Sequence, residues 1–398
     1  MSELYQLPNG WRWEVLDNLT EVNIGKTPSR SKSQYFLGDK VWLSIRDLKG
    51  DYVSDSNEKL TDEAIKDSNI KIIPKGTLLM SFKLTLGRTA FTECDLYTNE
   101  AIASLPIKDE SVLDKYFLKY SIGVIDLEKE VDNAVKGKTL NKQKIKNLDI
   151  PVPPLSEQQR IVSKLDNLFE KIDKAIELHQ QNIDGIDGFM ASVLNEVFLE
   201  LEGRYGVIKI NNIVQETKNK TPKNNSETPF TYIDISSIDN KSFKIVAPKK
   251  LIGKEAPSRA KKEVIYGDIV YSTTRPNLKN ISIIKEKYDN PIASTGFCVL
   301  RVNQKAINNY LFYYLITDKL FEQIEPNIRG SQYPATSDRF LKNCNIPNTP
   351  LNIQQKTVKY LDEVSQKIEK LKALQIEKKE SLKALKSSLL DRAFRGEL

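Results

Sequence analysis

The stretch "IPVPPLSEQQRIVSKLD" occupies residues 150–166, and "IPNTPLNIQQKTVKYLD" occupies residues 346–362. Laying 150–198 over 346–394 needs no gap, keeps an offset of 196 throughout, and leaves 16 of 49 positions identical. The identities include Pro151/Pro347, Leu155/Leu351, Gln158/Gln354, Gln159/Gln355, Leu165/Leu361 and Asp166/Asp362. An ungapped match of that length marks an internal duplication. Prolines cluster just before each long run and none falls inside it, so each copy predicts one long helix. Ser156 with Gln159 three residues on has the pattern of a capping box, and Asn352 with Gln355 fill the same places in the second copy. Beyond them, apolar or weakly polar residues recur in steps of three and four. The first series is Leu165, Phe169, Ile172, Ile176, His179, Ile183, Ile186, Met190, Val193 and Val197. The second is Leu361, Val364, Ile368, Leu371, Gln375, Lys378, Leu382, Leu385, Leu389 and Ala393. This is the period of a coiled-coil seam, and a helix of about 44 residues would run roughly 66 Å.

A helix with one apolar seam needs something to cover it. Residues 150–202 hold 4 basic and 10 acidic side chains, net −6, and residues 346–398 hold 11 and 7, net +4. Opposite charge favours pairing of the two copies over docking of each on its own globule. If they pair antiparallel, their midpoints meet, and His179 faces Gln375 as a polar layer that fixes register.

The segments between the helices resemble each other in outline only. Each opens with a short strand and a Thr-Pro loop, "NIGKTPSR" at 23–30 and "NKTPKNN" at 219–225. An extended apolar stretch follows, then strand, polar loop and strand at 73–91 and 264–284, then a helical pattern at 116–122 and 310–316. A last polar loop, "VKGKTLNKQ" or "IRGSQYPAT", precedes each proline-marked helix. The order is globule, helix, globule, helix. A repeated scaffold with dissimilar polar loops suits recognition of two different targets.

Composition limits the chemistry. Hydrophobic residues make up 39% of the 398, with no apolar run long enough for a membrane span. The N-terminus lacks the basic and apolar regions of a secretion signal. Cys94, Cys298 and Cys344 lie far apart without metal spacing, which predicts free thiols in a reducing cytoplasm. His179 is the one histidine, and it falls on the seam. "KGKT" at 136–139 lacks the earlier glycine of a phosphate loop, because Asp132 stands there. No G-x-S-x-G, H-E-x-x-H or Cys-x-x-Cys occurs, nor the Pro-Pro-aromatic element of an amino-methyltransferase. The chain is expected to catalyse nothing alone and to hold no cofactor and no metal. Charge is uneven: residues 1–149 hold 22 basic and 23 acidic side chains, net −1, while 203–345 hold 23 and 13, net +10. The second segment is therefore a candidate polyanion binder.

With "GWRWEVL" at 10–16, "GKTPSR" at 25–30, "IPVPPLSEQQRIVSKLD" at 150–166 and "SLLDRAFRGEL" at 388–398, the chain resembles the DNA-specificity subunits of type I restriction–modification enzymes. The resemblance covers the whole chain in order. The second copy departs from the pattern at Asn352-Ile353 and at "NTP", and the first lacks the "FRGEL" ending. The resemblance implies an α+β fold with two globular target-recognition domains, at 1–149 and 203–345. They are separated by two long helices, at 150–202 and 346–398, forming an antiparallel coiled coil in a pseudo-two-fold internal repeat. It implies that each domain reads half of a bipartite, asymmetric site in double-stranded DNA, with the helices as ruler. It also implies partners: two modification subunits that methylate adenine, and restriction subunits that translocate and cleave. The rival reading is a coiled-coil scaffold or adaptor without a DNA role.

Sequence readout needs long donors on polar loops, held by phosphate contacts. The candidates in the first domain are Lys26, Thr27, Arg30, Arg46, Lys83, Arg88, Lys136 and Lys138. In the second they are Lys220, Lys223, Arg275, Asn277, Lys279, Arg329, Ser331 and Gln332.

Overall fold

The computed structural model describes residues 5–127, 132–134, 137–330 and 334–398. The chain divides into two compact units, Met1–Leu178 with Lys378–Leu398, and His179–Glu377. Each long helix contributes residues to both.

In the first unit, strands β1 (Arg12–Val15), β2 (Asn23–Ile24), β3 (Lys40–Leu43), β4 (Tyr52–Val53), β5 (Glu58–Leu60), β6 (Leu78–Ser81), β7 (Thr89–Thr92), β8 (Tyr97–Thr98) and β9 (Ile102–Leu105) come first. After them come β10 (Asp132–Ala134), β11 (Gly137–Thr139) and β12 (Asp149–Val152). One sheet has the order β2-β9-β6-β7-β4 and another β5-β3-β8. Strand β6, "LLMS", is buried along its whole length, as befits a central strand covered on both faces. The helix Lys115–Val124 buries Phe117 and Leu118 in the same core and is capped by the Asp114 carboxylate, which accepts the Tyr116 and Phe117 N–H groups. The "IPV" of the repeat forms β12 and pairs antiparallel with β1, so the chain is clasped to its own start before the helix begins.

The first half of the helix Leu155–Tyr205 buries Ile161, Leu165, Phe169 and Ile172 in the main core of this unit. The end of the helix Leu351–Phe394 enters the same core through Ala393 and Phe394, with Phe394 packed 4.9 Å from the Phe117 ring. Asp173 receives Lys386 at 2.7 Å, and Arg160 donates to the Leu398 carbonyl oxygen at 2.8 Å. Partner numbers rise on one helix as they fall on the other, so the two segments run antiparallel.

The second unit repeats the plan. Its strands are β13 (Val207–Lys209), β14 (Val214–Gln215), β15 (Pro229–Ile233), β16 (Ile238–Asp239), β17 (Lys244–Ile245), β18 (Lys249–Ile252), β19 (Ala260–Glu263), β20 (Ile269–Ser272), β21 (Ile281–Ile283), β22 (Pro291–Ser294), β23 (Phe297–Val302) and β24 (Asn345–Pro347). The sheets are β14-β23-β20-β21 and β18-β15-β22-β19, and β24 pairs with β13 as β12 does with β1. Leu361 from the start of the second long helix is buried in the core that also takes Leu194, Phe198 and Leu201 from the end of the first. Phe198 sits between the rings of Tyr310 and Tyr314, at 5.3 and 5.2 Å. The antiparallel arrangement brings His179 to Gln375 here, its Nδ1 lying 2.5 Å from the Gln375 amide oxygen, as expected.

The repeat's identities are explained at the junctions. Gln158 is buried; its amide donates to the Val112 and Pro153 carbonyls and its oxygen accepts the Asp114 N–H. Gln354 is buried in the same way, donating to Lys305 and Thr349 and accepting the Ile307 N–H. Tyr120 donates to Asp166 at 2.5 Å, and Tyr313 to Asp362 at 2.6 Å. Burial first, and the carboxylate second, raise both phenol pKa values, which keeps the O–H in place as a donor.

Three expectations need correction. The helices start at Leu155 and Leu351, and the carbonyls of Pro154 and Pro350 cap them, so Ser156 and Asn352 lie inside the first turn. The buried Gln158 and Gln354 pin that turn, and a side-chain cap is not needed. The first helix spans 51 residues and the second 44, because the first continues through Gly203 to Tyr205. Leu371 and Leu385 are exposed rather than on a buried seam, and Leu194, Phe198 and Leu201 displace Val193 and Val197 from the deepest positions. Over its last turns the first helix sends these three side chains into the core that also holds Tyr310 and Tyr314.

Candidate nucleic-acid interface

In the first unit, two polar loops meet at one turn. The loop 82–88 joins β6 to β7, and Ser81 staples it. The Ser81 hydroxyl donates to the Thr85 carbonyl at 2.5 Å and accepts the Arg88 N–H at 3.1 Å. Phe82 donates its N–H to the Ala101 carbonyl at 3.1 Å, and Leu140 donates to the Phe82 carbonyl at 3.0 Å. The segment that follows "VKGKT" is thereby set against the loop that carries Lys83 and Arg88. The Thr-Pro loop reaches the same turn: Lys26 N–H donates to the Thr98 carbonyl at 2.9 Å, and the Thr27 hydroxyl to Glu100. A Cβ on Gly25 would lie 2.1 Å from the Thr98 oxygen, so only glycine permits the approach.

The candidates here have unequal freedom. Arg30 grips Glu58 with both terminal nitrogens, at 2.5 and 2.9 Å, and lies over the Phe36 and Trp42 rings. The hydrogen bonds from Arg30 lower the Glu58 pKa, and the same bonds raise that of Arg30. Lys26 caps the end of the helix Asp62–Ser68 through the Ser68 and Asn69 carbonyls. These side chains shape the loop. Arg46 and Arg88 are exposed, and Lys83 is half-buried, its ammonium 5.7 Å from the Phe82 ring centre. Lys136 lies outside the described residues, and Lys138 is placed by its backbone in β11.

The second unit shows the same meeting of loops with other side chains. Thr273, at the start of the loop from β20 to β21, donates through both N–H and hydroxyl to the Gly296 carbonyl, at 2.9 and 3.0 Å. Arg275 N–H donates to the Pro334 carbonyl at 2.6 Å, Thr336 N–H to the Thr273 carbonyl at 2.8 Å, and Arg329 and Ala335 exchange both backbone bonds. The Arg275 loop and the Arg329 loop are thus bridged through residues 334–336. Thr295 N–H donates to the Arg259 carbonyl at 2.8 Å, and Lys220 N–H to the Lys261 carbonyl at 2.8 Å, which brings the Thr-Pro loop alongside.

Arg275, Asn277, Arg329, Lys220 and Lys223 are exposed on these loops. Lys279 donates to the Ile316 carbonyl at 2.9 Å and to Asp318 at 2.8 Å, fastening the loop to the helix Asp318–Ile324. Its hydrogen bond is the largest cause holding the Asp318 carboxyl below the usual range. Ser331 and Gln332 lie outside the described residues. At the other end of β20 from the loop, buried Asp268 accepts a bidentate pair from Arg301, both bonds at 2.8 Å.

Arg259 and Thr295 join the cluster although the sequence reading did not single them out. Both are exposed at the shared turn. The signal available was the basic run "RAKK" at 259–262, most of which forms β19, the strand whose Lys261 carbonyl accepts the Lys220 N–H.

Residues 8–186 and 203–378 match the family model described as the type I restriction modification DNA specificity domain. The chain is 28% identical over 184 residues to the type I restriction enzyme MjaIX specificity subunit of Methanocaldococcus jannaschii, covering 44% of this chain and 43% of that protein. It spans less than half the length of that relative. It is 25% identical over 448 residues to the putative type I restriction enzyme MjaX specificity subunit of the same organism, covering 100% of this chain and 96% of that protein. A solved chain from a study of complex assembly and conformational transition in a type I restriction–modification system shares the fold. The TM-score is 0.76 at 21% identity, covering 99% of this chain and 100% of that one.

Proposed function

The chain belongs to the type I restriction–modification DNA specificity family, and from that membership we propose that each of its globules reads one half of a bipartite DNA site. The protein is a sequence-recognition subunit and does no catalysis of its own; methylation and cleavage reside in partner subunits. The observation that carries the reading is the doubled loop arrangement. Loops 82–88 and 273–280 follow the equivalent inner strands β6 and β20, and each leans on a turn shared with a Thr-Pro loop, yet their side chains differ. Arg46, Lys83 and Arg88 in one globule, and Arg259, Arg275, Asn277 and Arg329 in the other, are our candidates for base edges. Lys136, Lys138, Lys220, Lys223, Ser331 and Gln332 join them as base or phosphate contacts. Lys26, Thr27, Arg30 and Lys279 act by holding loop shape. The helical segments set the spacer between half-sites.

The partner reading has its own support. Gln159, Val162 and Asp166 line a shallow groove in the first unit, and Gln355, Val358 and Asp362 line one in the second. Each residue differs from its counterpart by 196. Gln159 and Gln355 are exposed and identical, while folding uses their neighbours Gln158 and Gln354. Two equal surfaces suit two copies of one modification subunit, in a cytoplasmic complex that restriction subunits complete. A mobility-shift assay tests the whole reading. With co-expressed modification subunits, the chain should retain its target duplex against an excess of scrambled duplex. A complex that assembles but prefers no DNA would replace this reading with the scaffold.

A further inference from the structure

The loop 82–88 holds a leucine where folding gives it no reason to be. Leu84 has φ +62, and Thr85 donates its N–H to the Lys83 carbonyl at 2.7 Å. That is a three-residue turn of the rare, strained hand, in a region that side chains other than those of Gly, Asn and Asp seldom enter. The side chain is 70% exposed. A single exposed leucine is ordinary, and so is one strained residue. Here the two coincide in a loop that is not slack, since the Ser81 hydroxyl ties its Thr85 carbonyl and its Arg88 N–H together. Glycine would relieve the strain, and a polar residue would suit the exposure. The side chain stands instead between basic Lys83 and Arg88, at the tip of the loop assigned above to DNA.

The second globule repeats the device with other residues. Its equivalent loop puts Leu278, 42% exposed, between left-handed Arg275 (φ 50) and Lys279 (φ 49), and Asn240 grips the Leu278 carbonyl at 2.9 Å. Two loops of unlike sequence each use unfavourable backbone to present a leucine among cations.

We propose that Leu84 is a specificity-determining residue of the first globule, making apolar contact with the 5-methyl group of a thymine in the major groove. Lys83 and Arg88, the base-edge candidates of the same loop, flank that contact. The thymine methyl is the one apolar group on a major-groove base edge, and a short loop tip with a branched apolar end meets it without needing a hydrogen-bond partner. The proposal rests on the DNA-recognition reading and adds to it a residue and the base that it reads.

The test uses the full chain assembled with its modification subunits, on the target mapped by sequencing of methylated DNA. Each thymine of the half-site read by the first globule is replaced by uracil, which removes the methyl and leaves the pairing intact. One replacement should weaken wild-type binding roughly fourfold, the value of one buried methyl-sized group. The same replacement should cost Leu84→Ala nothing. Leu84→Gly should melt no lower than wild type, since it relieves the strained φ, yet should lose the same discrimination. Equal uracil sensitivity in wild type and Leu84→Ala would overturn the proposal, as would no sensitivity at any thymine or a first half-site without an A·T pair. If the assembled complex marks no defined site at all, the DNA reading itself fails and this inference falls with it.

Discussion

At the scale of single residues, polar side chains rather than apolar ones carry the repeat's most specific work. Gln158 and Gln354 each satisfy two carbonyls and one N–H where a helix meets its globule. Sequence alone showed the paired glutamines but not which of each pair is buried, because that depends on where the first turn begins. The capping-box reading started the helix two residues late, and so gave Gln159 a folding role that belongs to Gln158. The loop candidates differ in how firmly intramolecular partners hold them. Arg30 and Lys279 look like free donors in sequence, and their partners, Glu58 and Asp318, are 28 and 39 residues away. The Asp268–Arg301 pair gives a sharp stability test, because Asp268 is buried. Removing one member of a buried ion pair strands the other charge, so Asp268→Ala should destabilise the second unit by about 3–5 kcal/mol. Denaturant unfolding monitored in that unit measures this. A loss no greater than an exposed pair gives, about 1 kcal/mol, would show that solvent reaches the site.

At the scale of elements, the two long helices were legible because their period, their proline-marked starts and their doubling all agree. What the period did not reveal is that each helix end serves a globule as much as a partner helix. Phe198 and Phe394 occupy equal positions in the repeat, and both are buried against aromatic rings. The His179–Gln375 contact was foreseen from antiparallel midpoints, and it lies among residues that are less buried than either end. A polar layer of this kind trades stability for register. His179→Leu alone, or Gln375→Leu alone, leaves one half-buried polar group unmatched and should cost roughly 1 kcal/mol. The double change should be more stable than either single change. Chemical denaturation of the three variants checks the order, and a double variant that is the least stable of the three would remove the register role.

At the scale of the whole molecule, one duplicated plan carries two unlike loop sets and two unlike charges. The segments 1–149 and 203–345 are net −1 and +10 by sequence, so the second should hold most of the salt-dependent affinity. The sequence showed the doubled order and the family resemblance. It did not show that loops far apart in each globule converge on one turn, since Thr295 to Arg259 and Phe82 to Ala101 are backbone contacts that leave no residue pattern. The proposed division of recognition, one half-site to each globule, can be read out on DNA. Methylation-site mapping by sequencing tests it most directly, with the modification subunits present and Arg88→Ala and Arg329→Ala compared with wild type. Loss of a base-reading arginine costs about 1–3 kcal/mol and relaxes one position. Arg88→Ala should relax one half of the mapped site and leave the other intact, while Arg329→Ala should do the reverse. Relaxation of the same half by both changes, or of both halves by either, would contradict it.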